Sequence, residues 1–140
     1  MKKIMGGLLV VLGLVIGIVP VFTDCLSQGR QLTSTTGMLV PMKCHWTAVA
    51  SIGVGIIIGL VGIFSLLSKR NETFRTLSGM GGAGGALAIA FPTVLIGVCA
   101  NPMMYCNMIE KPTLILGGIL TIAACAVIFG VSRKNVEAVG

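Results

Sequence analysis

Four long apolar segments constrain this chain more than any other feature of its sequence. They cover residues 4–22, 47–67, 77–98 and 112–131, and none of them contains Asp, Glu, Lys, Arg or His. Each is close to the roughly 20 residues with which a helix crosses about 30 Å of hydrocarbon. With 55% hydrophobic and only 10% charged residues, the chain carries more apolar surface than a soluble fold of this size can bury. The sequence therefore predicts an all-α integral membrane four-helix bundle, a single transmembrane domain over residues 1–140.

The first apolar segment follows Lys2 and Lys3, so a cleaved signal peptide is the competing interpretation. Signal peptides have an apolar core of about 7–15 residues and small residues before the cleavage point. Here the segment is longer, and the residues from Val21 to Cys25 lack the small-residue pattern. We therefore expect the segment to remain as the first membrane helix.

The distribution of Lys and Arg predicts the orientation. Seven of them flank the segments on one side and three on the other, and the richer side is cytoplasmic. The seven are Lys2, Lys3, Lys69, Arg70, Arg75, Arg133 and Lys134; the three are Arg30, Lys43 and Lys111. Both termini are then expected on the cytoplasmic side of a bacterial or archaeal plasma membrane, and the loops 23–46 and 99–111 on the outer side. Because these residues do not form one basic face with interleaved aromatics, nucleic acid is not an expected partner.

The segments lack the ionisable groups that mark ion paths and proton relays, which argues against a pump acting alone. They contain glycine pairs four residues apart, a spacing that lets helices approach closely in lipid. The pairs are Gly13 and Gly17, Gly55 and Gly59, and Gly81 and Gly85. These glycines pack either the bundle itself or the surface of another membrane protein. The expected partners are thus the bilayer and either further copies of the chain or a second membrane protein.

Most of the chemically distinctive side chains lie in the two outer loops or at their edges. They include Cys25, Cys44, Cys99, Cys106 and the only histidine, His45. Since the outside of a plasma membrane is oxidising, four cysteines there predict two structural disulfides, with three possible pairings. We favour Cys25 with Cys44 and Cys99 with Cys106, each closing its own hairpin. A short duplication supports this pairing, because residues 41–44 resemble residues 102–106.

Two other uses of these residues remain open. Cys, Met and His together favour a soft ion such as Cu(I), for which the additional candidate ligands are His45, Met42, Met103 and Met104. Thiol–disulfide exchange is the other use, although the chain has no Cys-x-x-Cys. No cofactor and no catalytic residue is predicted, and an enzyme is the less favoured interpretation. A surface for a ligand or partner is expected at Cys44, His45, Trp46, Asn101, Met103, Met104, Tyr105 and Asn107.

The box Met42-Lys43-Cys44-His45-Trp46-Thr47, together with residues 101–107, resembles a family of small bacterial and archaeal four-span membrane proteins of unknown function. The resemblance covers nearly the whole chain in length and segment order. It implies no catalytic residues. It also favours an accessory subunit of a membrane complex, such as a transporter. The charge-free segments, the glycine pairs and the short cytoplasmic loops favour a non-enzymatic subunit, with the disulfide-ordered outer loops as its working surface.

Overall fold

The computed structural model describes residues 2–27, 29, 32–68 and 70–137. Arg30 and Lys69, which entered the charge count, lie outside these residues. The described chain forms four long helices: α1 (Lys2–Thr23), α2 (Lys43–Leu67), α3 (Asn71–Ala90) and α4 (Lys111–Glu137). Together with short π-helical turns at their ends, all four are long and apolar enough to cross a membrane. The prediction of four apolar helices long enough to cross a membrane is therefore confirmed.

The helices form two hairpins, α1 with α2 and α3 with α4, which then pack side by side. Glycines permit the closest approaches within each hairpin. A Cβ added to Gly55 would lie 2.6 Å from the Gly13 carbonyl oxygen, and one added to Gly118 would lie 2.6 Å from the Gly85 carbonyl oxygen. Hydrogen in place of a side chain lets the backbones touch, which is the usual basis of helix packing in lipid.

The third membrane segment ends earlier than predicted. After Ala90 the α-helix widens into a π-helical turn, Phe91–Leu95, in which Pro92 occupies the start and is buried. Proline lacks the N–H that a regular helix needs at this point. Both the Ile96 and Gly97 amides donate to the Phe91 carbonyl, and Gly97 adopts a left-handed conformation with φ of 79°. The segment therefore ends at Leu95 and not at residue 98.

The loop between α1 and α2 and the loop between α3 and α4 lie at the same end of the bundle and differ in form. The connection between α1 and α2 contains a small antiparallel hairpin, β1 (Leu32–Thr33) with β2 (Leu39–Val40), paired in the register Leu32↔Val40. The connection between α3 and α4 contains a second π-helical turn, Cys106–Glu110, which runs directly into α4. We call the end of the bundle that carries these two loops, and with them Cys25, Cys44, Cys99 and Cys106, the cysteine end. We call the opposite end, where α2 connects to α3, the basic end.

Candidate metal centre

Four cysteines that are far apart in sequence converge at the cysteine end. Cys25 follows the last residues of α1, and Cys44 is the second residue of α2. Cys99 follows the first π-helical turn, and Cys106 begins the second. All four sulfur atoms lie within 4.8 Å of one another. Every helix of the bundle therefore has one cysteine at or just beyond this end.

The two shortest sulfur–sulfur distances both involve Cys25. Its Sγ lies 2.6 Å from that of Cys44, 3.0 Å from that of Cys106 and 3.5 Å from that of Cys99. Cys44 and Cys99 are 3.4 Å apart. A disulfide requires about 2.05 Å, and all five cysteines are free thiols. The two predicted disulfides are thus not confirmed. The sulfur contacts occur within the first hairpin, between Cys25 and Cys44, and also between the two hairpins.

Local structure holds the cysteines in place. The Thr47 hydroxyl, on the first turn of α2, donates a 2.9 Å hydrogen bond to the Gly97 carbonyl. This bond fixes the start of α2 against the turn that leads to Cys99. Cys106 and Cys44 each stand at the beginning of the helical segment that returns through the membrane, as their short sequence duplication suggests.

The cluster is secluded and lined by sulfur. Cys25, Cys44 and Cys106 are buried, Cys99 is half-buried, and Met42 and Met104 pack against them. The Cys99 Sγ lies 3.8 Å from the Met42 Sδ. Burial raises the pKa of the Cys25 thiol above its ordinary value, because a thiolate loses hydration there. Without a cation, the neutral thiol is therefore the stable form of Cys25.

A hydrogen bond between two side chains lies beside the cluster. His45 Nδ1 lies 2.7 Å from the Asp24 Oδ2, and these two residues are the immediate neighbours of Cys44 and Cys25. The Ser27 amide donates to the other carboxylate oxygen at 2.7 Å. Burial by itself would raise the pKa of Asp24, but the hydrogen bonds from His45 and Ser27 outweigh it and hold that pKa below its usual value. The pair ties the end of α1 to the start of α2.

Glu110 is a buried carboxyl that the sequence analysis did not predict. Its side chain is fully buried at the end of the second π-helical turn, four residues after Cys106. Neither carboxyl oxygen has a hydrogen-bond partner among the described residues. Buried ionisable groups in membrane proteins are costly and usually functional, yet the sequence placed Glu110 in an outer loop.

The other predicted site residues divide into two groups. His45, Met42 and Met104 lie at the cluster, whereas Met103 is 81% exposed and takes no part in it. Exposed side chains form the rim of the same end: Trp46, Asn101, Met103 and Tyr105. Asn107 is half-buried, and the Asn101 Oδ1 accepts a 3.1 Å hydrogen bond from the Met103 amide.

Residues 4–131 match the family described as "Domain of unknown function (DUF4418)", which covers both hairpins and all four cysteines. The chain belongs to this family. No curated protein and no solved structure matches it.

The sulfur arrangement of this DUF4418 domain suits a tetrahedral metal ion. A Zn–S bond of about 2.3 Å corresponds to sulfur–sulfur separations of about 3.8 Å, and the four sulfurs lie within 4.8 Å of one another. Binding needs the closest pair, Cys25 and Cys44, to move apart by about 1 Å. A cation would also supply the charge that lets buried thiols ionise. The domain thus has the donor number, donor type and seclusion of a thiolate metal site.

Proposed function

We propose that this protein is a non-enzymatic multi-pass membrane protein that binds one soft metal ion, Cu(I) or Zn(II), through Cys25, Cys44, Cys99 and Cys106. The observation that carries the proposal is the convergence of four sulfur atoms within 4.8 Å from four separate parts of the chain. Four thiolates form a typical tetrahedral donor set for Zn(II), and soft thiolate and thioether ligands also select Cu(I). The proposal includes the predicted orientation, with the site on the outer side and both termini in the cytoplasm, which the Lys and Arg distribution supports.

The surroundings of the sulfurs favour a soft ion over Ca²⁺ or Mg²⁺, which prefer oxygen ligands. Met42 and Met104 add thioethers next to the thiols. The Asp24 carboxylate is already engaged by His45 and Ser27, so it orients the neighbouring segments and leaves coordination to sulfur. Thioether contacts make Cu(I) the preferred candidate and Zn(II) the second.

Metal binding at this position would act on the whole bundle. Cys25 and Cys44 come from the first hairpin, whereas Cys99 and Cys106 come from the second. An ion held by all four would crosslink the hairpins and order the rim that carries Trp46. Because a ligand that binds only the folded state stabilises it, an ion at 100 times its Kd would add about 2.7 kcal/mol to the unfolding free energy. We propose that the ordered rim then binds a membrane partner.

The test is a metal titration of protein purified in detergent under reducing, oxygen-free conditions. Competition with chelators and native mass spectrometry should show one Cu(I) or Zn(II) per chain. Cys25→Ser should abolish binding, because Cys25 contacts all three other sulfurs. Cys125→Ala is the matched control, since Cys125 is a free buried cysteine outside the cluster. Absence of metal in the wild-type protein, or equal losses in both variants, would contradict the proposal.

Thiol–disulfide exchange is the second candidate, and the 2.6 Å contact between Cys25 and Cys44 favours it. The raised pKa of Cys25 weighs against it, because the thiolate is the nucleophile in such exchange. The two candidates differ in a simple labelling experiment. A maleimide mass tag applied to whole cells, before and after reductant, reports the redox state of each cysteine. A mixed population of dithiol and disulfide without bound metal would favour exchange over metal binding.

A further inference from the structure

A cavity of 220 Å³ opens at the basic end of the bundle, far from the cysteines. Its walls come from three helices: α1 contributes Ile4 and Met5, α3 contributes Phe74, and α4 contributes residues 127–132 in part. Nearly all of the lining is apolar. The cavity lies in the seam between the two hairpins, where α1 faces α4. An apolar recess at the end of a membrane helix is open to the acyl chains of the adjacent leaflet.

Two arginines stand beside this recess without an acidic partner among the described residues. The Arg75 guanidinium carbon lies 5.5 Å from the centre of the Phe129 ring, and that of Arg133 lies 5.9 Å from the same ring. Both guanidinium groups therefore lie beside the same aromatic ring. On α4, Phe129 and Arg133 follow one helical row, which adjoins the row of Ile128 and Ser132 that lines the cavity.

The charge of the chain is concentrated at the same end. Among the described residues, six Lys and Arg belong to this end, against two acidic residues, Glu72 and Glu137. The described part of the cysteine end has two basic residues, Lys43 and Lys111, against Asp24 and Glu110. Basic pockets between membrane helices recognise anionic headgroups, with about 1 kcal/mol for each Lys or Arg near the surface. The charge pattern therefore favours an anionic lipid over a zwitterionic one.

We propose that the seam between α1 and α4 is a binding site for an anionic phospholipid, with one acyl chain in the cavity and the headgroup phosphate on Arg75 and Arg133. The two arginines supply donors for the phosphate oxygens, since guanidinium groups match phosphate geometry. The apolar lining from α1, α3 and α4 accepts the chain. This site is independent of the cysteine cluster and would link the lipid to the packing of the two hairpins.

The test uses the full chain in detergent micelles with equal amounts of phosphatidylglycerol and phosphatidylcholine. Native mass spectrometry of the retained lipids should show a preference for phosphatidylglycerol. Each of Arg75→Gln and Arg133→Gln should lower this preference about fivefold. Lys111→Gln, which removes one positive charge at the opposite end of α4, should leave it unchanged. Val131→Trp, which places a large side chain in the cavity wall, should reduce retention of both lipids.

Three outcomes would overturn the proposal. The first is equal retention of the two lipids by the wild-type chain. The second is an equal loss of preference in Lys111→Gln and the arginine variants, which would indicate a general surface charge effect. The third is displacement of phosphatidylglycerol by millimolar inorganic phosphate, which would indicate a free-anion site. Circular dichroism of each variant verifies that the helices are intact, so that a change in lipid retention reports on the site itself.

Discussion

Replacing Gly55 with Ala should destabilise the first hairpin through a backbone clash. A Cβ at this position would lie 2.6 Å from the Gly13 carbonyl oxygen and 2.7 Å from the Gly17 amide nitrogen. Ordinary contact begins at 3.4 Å, so α1 and α2 must separate locally by about 0.8 Å. A gap of that size forfeits a quarter to a half of the dispersion attraction between facing atoms. Overpacking of this kind costs about 1–3 kcal/mol.

Gly53 provides the matched control, because it lies on the same helix and an added Cβ would meet nothing within 4 Å. Replacing Gly by Ala favours the helix by about 1 kcal/mol in both variants. The difference between their unfolding free energies therefore reports the clash alone. We expect Gly55→Ala to unfold about 1–3 kcal/mol more easily than Gly53→Ala. Unfolding in mixed micelles, with increasing sodium dodecyl sulfate and circular dichroism as the readout, measures this difference. Equal stability of the two variants would refute the close approach of α1 and α2.

Three further predictions concern the cysteine end. A double-mutant cycle with Asp24→Asn and His45→Gln should give a coupling free energy of about 1–2 kcal/mol at neutral pH. Because folding lowers the Asp24 pKa, this stabilisation is present above the ordinary pKa of 3.8 and is lost as pH falls through the lowered pKa of the folded state. Glu110→Leu should raise the unfolding free energy by about 1–3 kcal/mol, since it removes an unpartnered buried carboxyl, while the same change at the exposed Glu72 stays within about 0.5 kcal/mol. Iodoacetamide should modify the half-buried Cys99 before the other three clustered thiols, as peptide mass spectrometry would show.

Each of these three predictions has a contradicting result. A coupling near zero at neutral pH would mean that Asp24 and His45 do not interact in solution. A less stable Glu110→Leu variant would show that the carboxyl has a partner that stabilises the fold. Uniform alkylation of all four cysteines in the metal-free protein would contradict the seclusion of Cys25, Cys44 and Cys106.

The membrane segments followed from the sequence because their cause is local. Whether a stretch of chain enters lipid depends on its own length and hydropathy, and α1, α2 and α4 contain the whole of the segments predicted for them. The prediction for the third segment was less accurate, because it placed the end of the segment at residue 98 and the helical structure ends at Leu95. The hydropathy of Ile96 and Val98 extended the prediction beyond Leu95, whereas the backbone turns at Gly97, whose φ is 79°.

The grouping of the cysteines was only partly predictable. Their concentration near one face was visible from their positions between the apolar segments, but spacing along the chain favoured pairs within each hairpin. In the structure Cys25 contacts Cys106, which lies 81 residues away. Such a contact depends on how the two hairpins pack together, and no local pattern encodes that arrangement.

Glu110 shows the same division between local and tertiary causes. A charged residue just before an apolar segment reads as part of a solvated loop, since hydropathy treats every residue separately. The π-helical turn that begins at Cys106 instead carries Glu110 into the bundle, where it is fully buried. The sequence by itself determined that the chain forms four helices long and apolar enough to cross a membrane, and which residues lie between them. Only the tertiary structure decided that four thiols meet and that the Glu110 carboxyl is buried, because both depend on the packing of helices distant in sequence.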